Sequence, residues 1–451
     1  LKVSTLGEGE EWKMTANSPA VEVRPTVTRG GDAPARSPRA VCPFCSLLCD
    51  DLVRGDDGAI GPLDGAVCGK ASNGFARPSG SPEPQIAGRP VDLPEAIVAA
   101  AAILQSARLP LFGGLATDVD GMRGLLALAD RTGGVVDHAG SRGAFRNMAV
   151  LQSRGWVMST LTEVRNRADL VVVVGDGIGA SFPRFYQRVV GAAETMFGSL
   201  SRRIVFIGSG ADRTLVDPGV TSETIACLPD QLGSAIGSLR AALRGRPVPG
   251  ATGVNPEAIA ALAQRIQAAR YPVVVWAPLP LPETDGDLIV LSIADLVRDL
   301  NVGGRAAGLS LGGNDGGATA QAVTAWQTGY PLRVSLATGK PIYDPVRFDI
   351  ARMLPAGEGD ALIWTAAISA ELGPPATTIP TIVLGTPGLT LARTPEVFIP
   401  VGTPGLDHAG DLIRTDSVVS LQLRGWRNVG LPTVADIALR IAAHVTDRPE
   451  S

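Results

Sequence analysis

ADLVVVVGDG, residues 168–177, carries a run of apolar residues from Leu170 to Val174 that closes on Gly-Asp-Gly. An unbroken β-branched run without alternation is what a strand buried on both faces looks like, and such strands belong to parallel sheets. Six further runs share this character: RLPLFGG (108–114), RRIVFIGSG (202–210), YPVVVWAP (271–278), DALIWTA (360–366), TIVLGTP (381–387) and EVFIPVG (396–402). Ala-rich helical stretches lie between them at 93–107, 122–132 and 259–270, and a last helix is expected at 433–445. Strands alternating with helices give an α/β fold of doubly wound parallel-sheet lobes, with ligands at the carboxyl ends of the strands.

Outward from these runs the composition changes. Residues 1–40 are rich in Pro, Gly, Arg, Ser and Thr and read as a flexible tail. Residues 41–80 hold four of the five cysteines among many turn formers, as a small metal-organised module would. PSGSPEPQIAGRP, 78–90, reads as a linker. The α/β part divides on this reading into 92–305 and 306–451, the second opening on a glycine-dense stretch, 309–344. A connection that long is expected to be functional or to pack on a partner.

The chain has 451 residues, enough for two or three packed domains, and its 45% hydrophobic and 19% charged residues exclude wholesale disorder. A formal net charge of -4 gives no electrostatic reason for nucleic acid or an anionic membrane as partner. AIVAAAAIL, 96–104, an unbroken apolar run, is about half the length a membrane helix needs. LKVSTLGEGEEWKM at the start has acidic residues and no apolar core, unlike a secretory signal. The expected location is the cytoplasm, where cysteines serve as thiols or metal ligands rather than disulfides.

Cys42, Cys45 and Cys49 are spaced C-x2-C-x3-C, and Cys68 follows after a loop. Four local thiolates are what a [4Fe–4S] cube takes, one per iron. A four-Cys zinc site takes the same number, although zinc ribbons usually pair two C-x2-C knuckles. Free thiols are the third reading. Lys70 follows Cys68 by two residues in a chain whose other lysines are Lys2, Lys13 and Lys340. It is either a cation that offsets cluster charge or a solvated surface residue. Cys227, alone in TIACLPD, reads as a small buried hydrophobe.

CPFCSLLCDDL (42–52) with AVCGK (66–70) resembles the B subunit of formylmethanofuran dehydrogenase, of the molybdopterin oxidoreductase superfamily. The resemblance continues in STLTEVRNRADLVVVVGDG (159–177), SFPRF (181–185), NDGGATAQAVTAWQTGYPLRV (314–334), KPIYDP (340–345) and HAGDLIRTDSVVSLQLR (408–424). It implies one-carbon chemistry on a methanofuran-type carrier. In the dehydrogenase form, the B subunit holds a molybdenum- or tungsten-bispterin centre beside a [4Fe–4S] cluster and interconverts carbon dioxide and formate. In the related formyltransferase/hydrolase complex the B-like subunit is not a redox catalyst. It stands there with an amidohydrolase-like A subunit, with a formyltransferase-like subunit, and with a C subunit.

One departure separates the two. The resemblance implies a metal-ligating Cys or selenocysteine followed by a catalytic His just before the run that reads AVLQSRGW here. Those positions fall on Gly143 and Ala144, which offer neither a donor atom nor a proton shuttle. His138 is a poor substitute in a thiolate-adapted site. Gly385 stands where an acidic residue is expected to hold a nucleotide hydroxyl. Arg142, Arg146 and Arg154 crowd the former metal position as either an anion site or ordinary surface arginines. The expectation is a B subunit with a [4Fe–4S] module, a degenerate metal-pterin site, no catalytic pair of its own and a scaffolding or carrier-docking role. The alternative is an active molybdenum- or tungsten-pterin dehydrogenase subunit with a non-protein group on the metal.

Overall fold

The computed structural model describes residues 39–446, apart from 56–58, 63–67, 79, 81, 192–193, 197, 200 and 249–252. The expected tail therefore lies, but for residues 39 and 40, outside the described residues.

Leu170–Val174 is the middle strand of a five-stranded sheet. In order, the strands are Thr221–Ala226, Arg203–Gly208, Leu170–Val174, Pro272–Trp276 and Ala307–Ser310, all parallel. Chain order reverses at Leu170–Val174, so a crevice opens at the carboxyl ends of this strand and of Pro272–Trp276. Because side chains alternate across a strand, the valine run feeds two cores. Leu170, Val172 and Val174 pack under the helices Leu232–Leu243, Pro256–Ala268 and Gly286–Leu300. Val171 and Val173 pack instead with Phe182, Phe185, Tyr186 and the apolar residues of the four-Cys segment, Leu47, Leu48 and Leu52. The Cys segment thus shares one core with a face of this sheet.

A second, nine-stranded sheet has five parallel strands at its centre: Val135–Val136, Pro110–Ala116, Ala361–Ala366, Thr381–Gly385 and Val397–Pro400. Antiparallel pieces extend both edges. This sheet takes strands from either side of residue 305, with the five-stranded sheet inserted between them, so the sheets do not divide where the 92–305 and 306–451 boundary was drawn. A linear reading of strand runs cannot tell which runs pair.

Two other expectations are corrected. The stretch 78–90 includes a hairpin, Gln85–Ile86 with Arg89–Pro90, turning through Ala87 and Gly88, both at positive φ, and docked on Val397–Pro400. The glycine-dense stretch 309–344 contains the helix Gly317–Thr328. Its Gly, Thr and Val content lowers helix propensity and hid it. Gly114, at φ +73, is needed where it stands: a Cβ there would lie 2.5 Å from the Thr365 carbonyl oxygen of the neighbouring strand.

Arg202 closes the bottom of the five-stranded sheet. Its side chain is buried, and its guanidinium donates to the carbonyls of Ala168 at 2.7 Å, Arg165 at 2.8 Å, Val164 and Val189 at 3.2 Å, and Val190. Replacing it leaves several carbonyls without a donor, each costing about 1–3 kcal/mol. Arg202→Leu should lower the urea midpoint by the equivalent of about 3 kcal/mol or more with little change in slope. An unchanged midpoint would contradict this role.

Candidate functional site

The four cysteines come together. Cys42 N–H donates to the Cys49 carbonyl at 2.9 Å and Leu48 N–H to the Cys45 carbonyl at 3.1 Å, with Leu48 at φ 47, so residues 42–49 close into a tight loop. Cys68 stands immediately before the helix Gly69–Phe75, which packs on that loop through Phe44. Phe44 meets Phe75 edge-on at 5.0 Å, and its ring lies so close to Gly74 that a Cβ there would fall 2.4 Å from it. This contact brings Cys68 to the other three thiols.

Cys42, Cys45, Cys49 and Cys68 line one small cavity with Lys70 and Arg184. Among the described residues no three His, Cys, Asp or Glu side chains are grouped as a single ion requires. Burial drives the Cys42 thiol well up and Cys45 up to about 12, neighbouring thiolates adding to both. Cys49 is also raised, by burial, but Arg188 and Arg184 oppose the rise. Lys70 opposes it at Cys45. Free of any metal, the Cys42, Cys45 and Cys49 thiols would be protonated at neutral pH.

Lys70 Nζ donates to the Ser181 carbonyl at 3.0 Å and is half-buried, so it is not a freely solvated surface residue. Asn314 Nδ2 donates to the same carbonyl at 3.1 Å. Asn314 Oδ1 accepts from Ser46 N–H at 3.0 Å and faces Ser46 Oγ at 3.2 Å, while Ser46 Oγ donates to the Gly312 carbonyl at 2.6 Å. Thr415 N–H donates to the Ser46 carbonyl at 2.8 Å, and Thr415 Oγ1 to Gly312 O at 2.9 Å. Four stretches far apart in sequence, at 42–49, 181–185, 312–317 and 408–416, therefore meet around Ser46.

Beside this junction, between the carboxyl ends of the two sheets, lies a cleft of about 460 Å³. Gly143 and Ala144 line it, in the first turn of the helix Ser141–Arg154. A side chain at Gly143 would crowd the loop opposite. A Cβ there would lie 3.0–3.1 Å from Cβ, Cα and N of Leu279. Leu279 belongs to the loop 278–282, which Arg146 clamps. Arg146 Nη1 donates to the carbonyls of Pro278 at 2.6 Å, Leu281 at 2.8 Å and Leu279 at 3.1 Å, and its Nη2 to Pro282 at 2.7 Å.

These bonds correct the anion-site reading of the arginines. Arg146 is committed to four backbone carbonyls, Arg142 pairs with Glu283, and Arg154 is exposed. His138 is committed too. Its Nδ1 accepts from Gly140 N–H at 2.8 Å, which leaves the proton on Nε2 to donate to the Asp315 carbonyl at 3.0 Å. Burial lowers its pKa, so it is a neutral structural ring. At Gly385 a Cβ would meet Leu389 at 2.7 Å and Phe398 at 3.1 Å, so packed hydrocarbon occupies the place expected for an acid. Cys227 is buried at the end of the five-stranded sheet, well away in the fold, with its thiol raised by burial to about 11.

The sequence reading missed Arg184, Arg188, Asn314 and Leu279. Asp50 and Asp51 directly after Cys49, and the R-x3-R spacing of Arg184 and Arg188, were available signals for the first two. Leu279 carried none, because its importance lies in what it touches.

No protein-family model matches the chain. It is 29% identical over 371 residues to the B subunit of the formyltransferase/hydrolase complex Fhc of Methylorubrum extorquens, covering 80% of this chain and 97% of that one. The B subunit of tungsten-containing formylmethanofuran dehydrogenase 2 of Methanocaldococcus jannaschii is 26% identical over 410 residues, covering 85% and 92%. Among solved structures, the crystal structure of the Methylorubrum extorquens formyltransferase/hydrolase complex with methylofuran contains a chain that matches with a TM-score of 0.68 and 28% identity, covering 80% of this chain and 98% of that one. With similarity running through nearly the full length of these relatives and a like fold, the chain is similar throughout to B subunits of formyltransferase/hydrolase complexes and formylmethanofuran dehydrogenases.

Proposed function

We propose that this chain is the B subunit of a formyltransferase/hydrolase complex in one-carbon metabolism, and that it works as a scaffold rather than as a redox catalyst. The observation that carries the reading is Leu279 packed on Gly143. The position that would ligate molybdenum or tungsten has no donor atom, and Leu279, on a loop that Arg146 holds, crowds the start of any side chain there. Ala144 beside it cannot move a proton. These residues do not fit a protein-ligated metal-pterin centre. The similarity to the Fhc relative points the same way.

Its partners on this reading are an amidohydrolase-like A subunit, a formyltransferase-like subunit, and a C subunit, which handle the formyl group on a methylofuran-type carrier. The relative's assembly with methylofuran supports that inference. Among the described residues no helix is long and apolar enough to cross a membrane.

The four-thiol cavity fits a [4Fe–4S] cluster by its donor chemistry: four cysteines around one enclosed space with Lys70 and Arg184 at its wall. Cys42, Cys45, Cys49 and Cys68 would each supply one thiolate. A bound cluster would tie residues 42–49 to the helix Gly69–Phe75. Lys70 would offset its negative charge.

Anaerobic purification of the chain with its partners, followed by metal and pterin analysis, tests both halves. The expected result is about four irons per chain with neither molybdenum, tungsten nor pterin. Stoichiometric pterin with either metal would overturn the scaffold reading in favour of an active dehydrogenase subunit. The closure itself is tested by Gly143→Cys, which should lower stability by about 1–3 kcal/mol through overpacking against Leu279. Leu279→Gly, which removes the obstructing side chain, should recover part of that loss in the double variant. Strictly additive effects would contradict crowding between the new side chain and that of Leu279.

A further inference from the structure

We infer that Arg188 and Arg184, each anchored by a carboxylate that follows Cys49 in the chain, form a cationic wall that raises the reduction potential of the cluster held by the four thiols. The inference rests on the cluster reading above.

Arg188 lies beside Cys49, where its charge opposes the rise that burial imposes on the thiol. On its other side it is gripped by Asp50 at 2.6 Å and Asp51 at 3.3 Å. Arg184, one helical turn earlier, makes a two-pronged pair with Asp51, Nη1 to Oδ1 at 2.8 Å and Nη2 to Oδ2 at 2.7 Å. Its side chain is only 6% exposed, and it lines the thiol cavity directly. The Arg188 N–H bonds back to the Arg184 carbonyl at 2.9 Å, which fixes the relative position of the two side chains.

The wall is oriented. The carboxylates hold the guanidinium forks from outside, the Asp50 side chain being 62% exposed. At Cys49 both arginines favour the thiolate more than Asp51 disfavours it. Taking up one electron makes a tetrathiolate cluster more negative. Cations and sulfur-directed donors stabilise that reduced form and move the potential upward. A plain surface ion pair would have no reason to place a nearly buried guanidinium against a thiol cavity.

The experiment is a mediated redox titration of the anaerobically purified full chain with its partners, reading the reduced cluster by electron paramagnetic resonance. Wild type, Arg188→Gln and Arg188→Lys are compared, with iron counted in each sample. Arg188→Gln is expected to keep its iron and to show a reduced-to-oxidised ratio at fixed potential at least about tenfold below wild type, which is about 59 mV for a one-electron couple. Arg188→Lys, which keeps the charge, should recover most of the difference. Equal potentials in wild type and Arg188→Gln, with iron present in both, would overturn the inference and leave the cluster reading intact. Wild type without iron would overturn the cluster reading and this inference together. Should Arg188→Gln lose its iron, retention by Arg188→Lys supports the charge role. Loss from both variants makes Arg188 a fold element and overturns the inference.

Discussion

Ser46 and Asn314 are separated by 268 positions and hold each other through both backbone and side chain. The rest of the functional region depends on that contact. Ser46 stands between Cys45 and Cys49, so fixing it fixes the cysteine loop. Asn314 stands in the glycine-rich turn that leads into the helix Gly317–Thr328, so fixing it sets one wall of the cleft. The Ser181 carbonyl receives both Asn314 and Lys70, which ties in the segment that carries Arg184 and Arg188. Single hydrogen bonds of this kind contribute about 0.5–1.5 kcal/mol each. Their value here lies in their joint geometry, because no one of the four stretches has a core of its own to hold it in place.

The thiol cavity and the cleft are neighbours, but they have fared differently. The cavity keeps all its donors, is enclosed by apolar packing around Phe44, Phe75 and Leu52, and has cations at its wall. The cleft keeps its volume but not its reactive end. A side chain at residue 143 would press on Leu279, and Arg146, bound to four carbonyls of the loop 278–282, resists the shift that would relieve it. Loss of the ligand and closure by the loop are two aspects of one arrangement. On the reading proposed above, a chain built this way would hold its partners and a cluster in fixed relation without performing chemistry in the cleft.

Much of this was legible in the residues because it follows from local rules. All seven apolar runs are strands, since a run such as Leu170–Val174 has no solvent-facing position and fits only a doubly covered sheet. The strands that escaped notice have mixed exposure or are very short, as at Thr221–Ala226 and Val135–Val136. The four cysteines announced themselves by spacing. The pairing of strands across residue 305 did not, because hydrogen-bond partners far apart in sequence leave no mark on either strand alone. Arg146 shows the same limit from the other side. An arginine near a cleft reads as a candidate anion ligand until the carbonyls it serves are seen.

The central claim is that the metal-ligating end of the cleft is closed in the assembled protein. An experimental structure of the anaerobically purified chain with its partners tests it most directly. The account predicts Leu279 seated on Gly143, Arg146 bonded to the carbonyls of the loop 278–282, and no pterin or heavy metal beside residue 143. A pterin-bound metal there, with the loop 278–282 displaced, would contradict it.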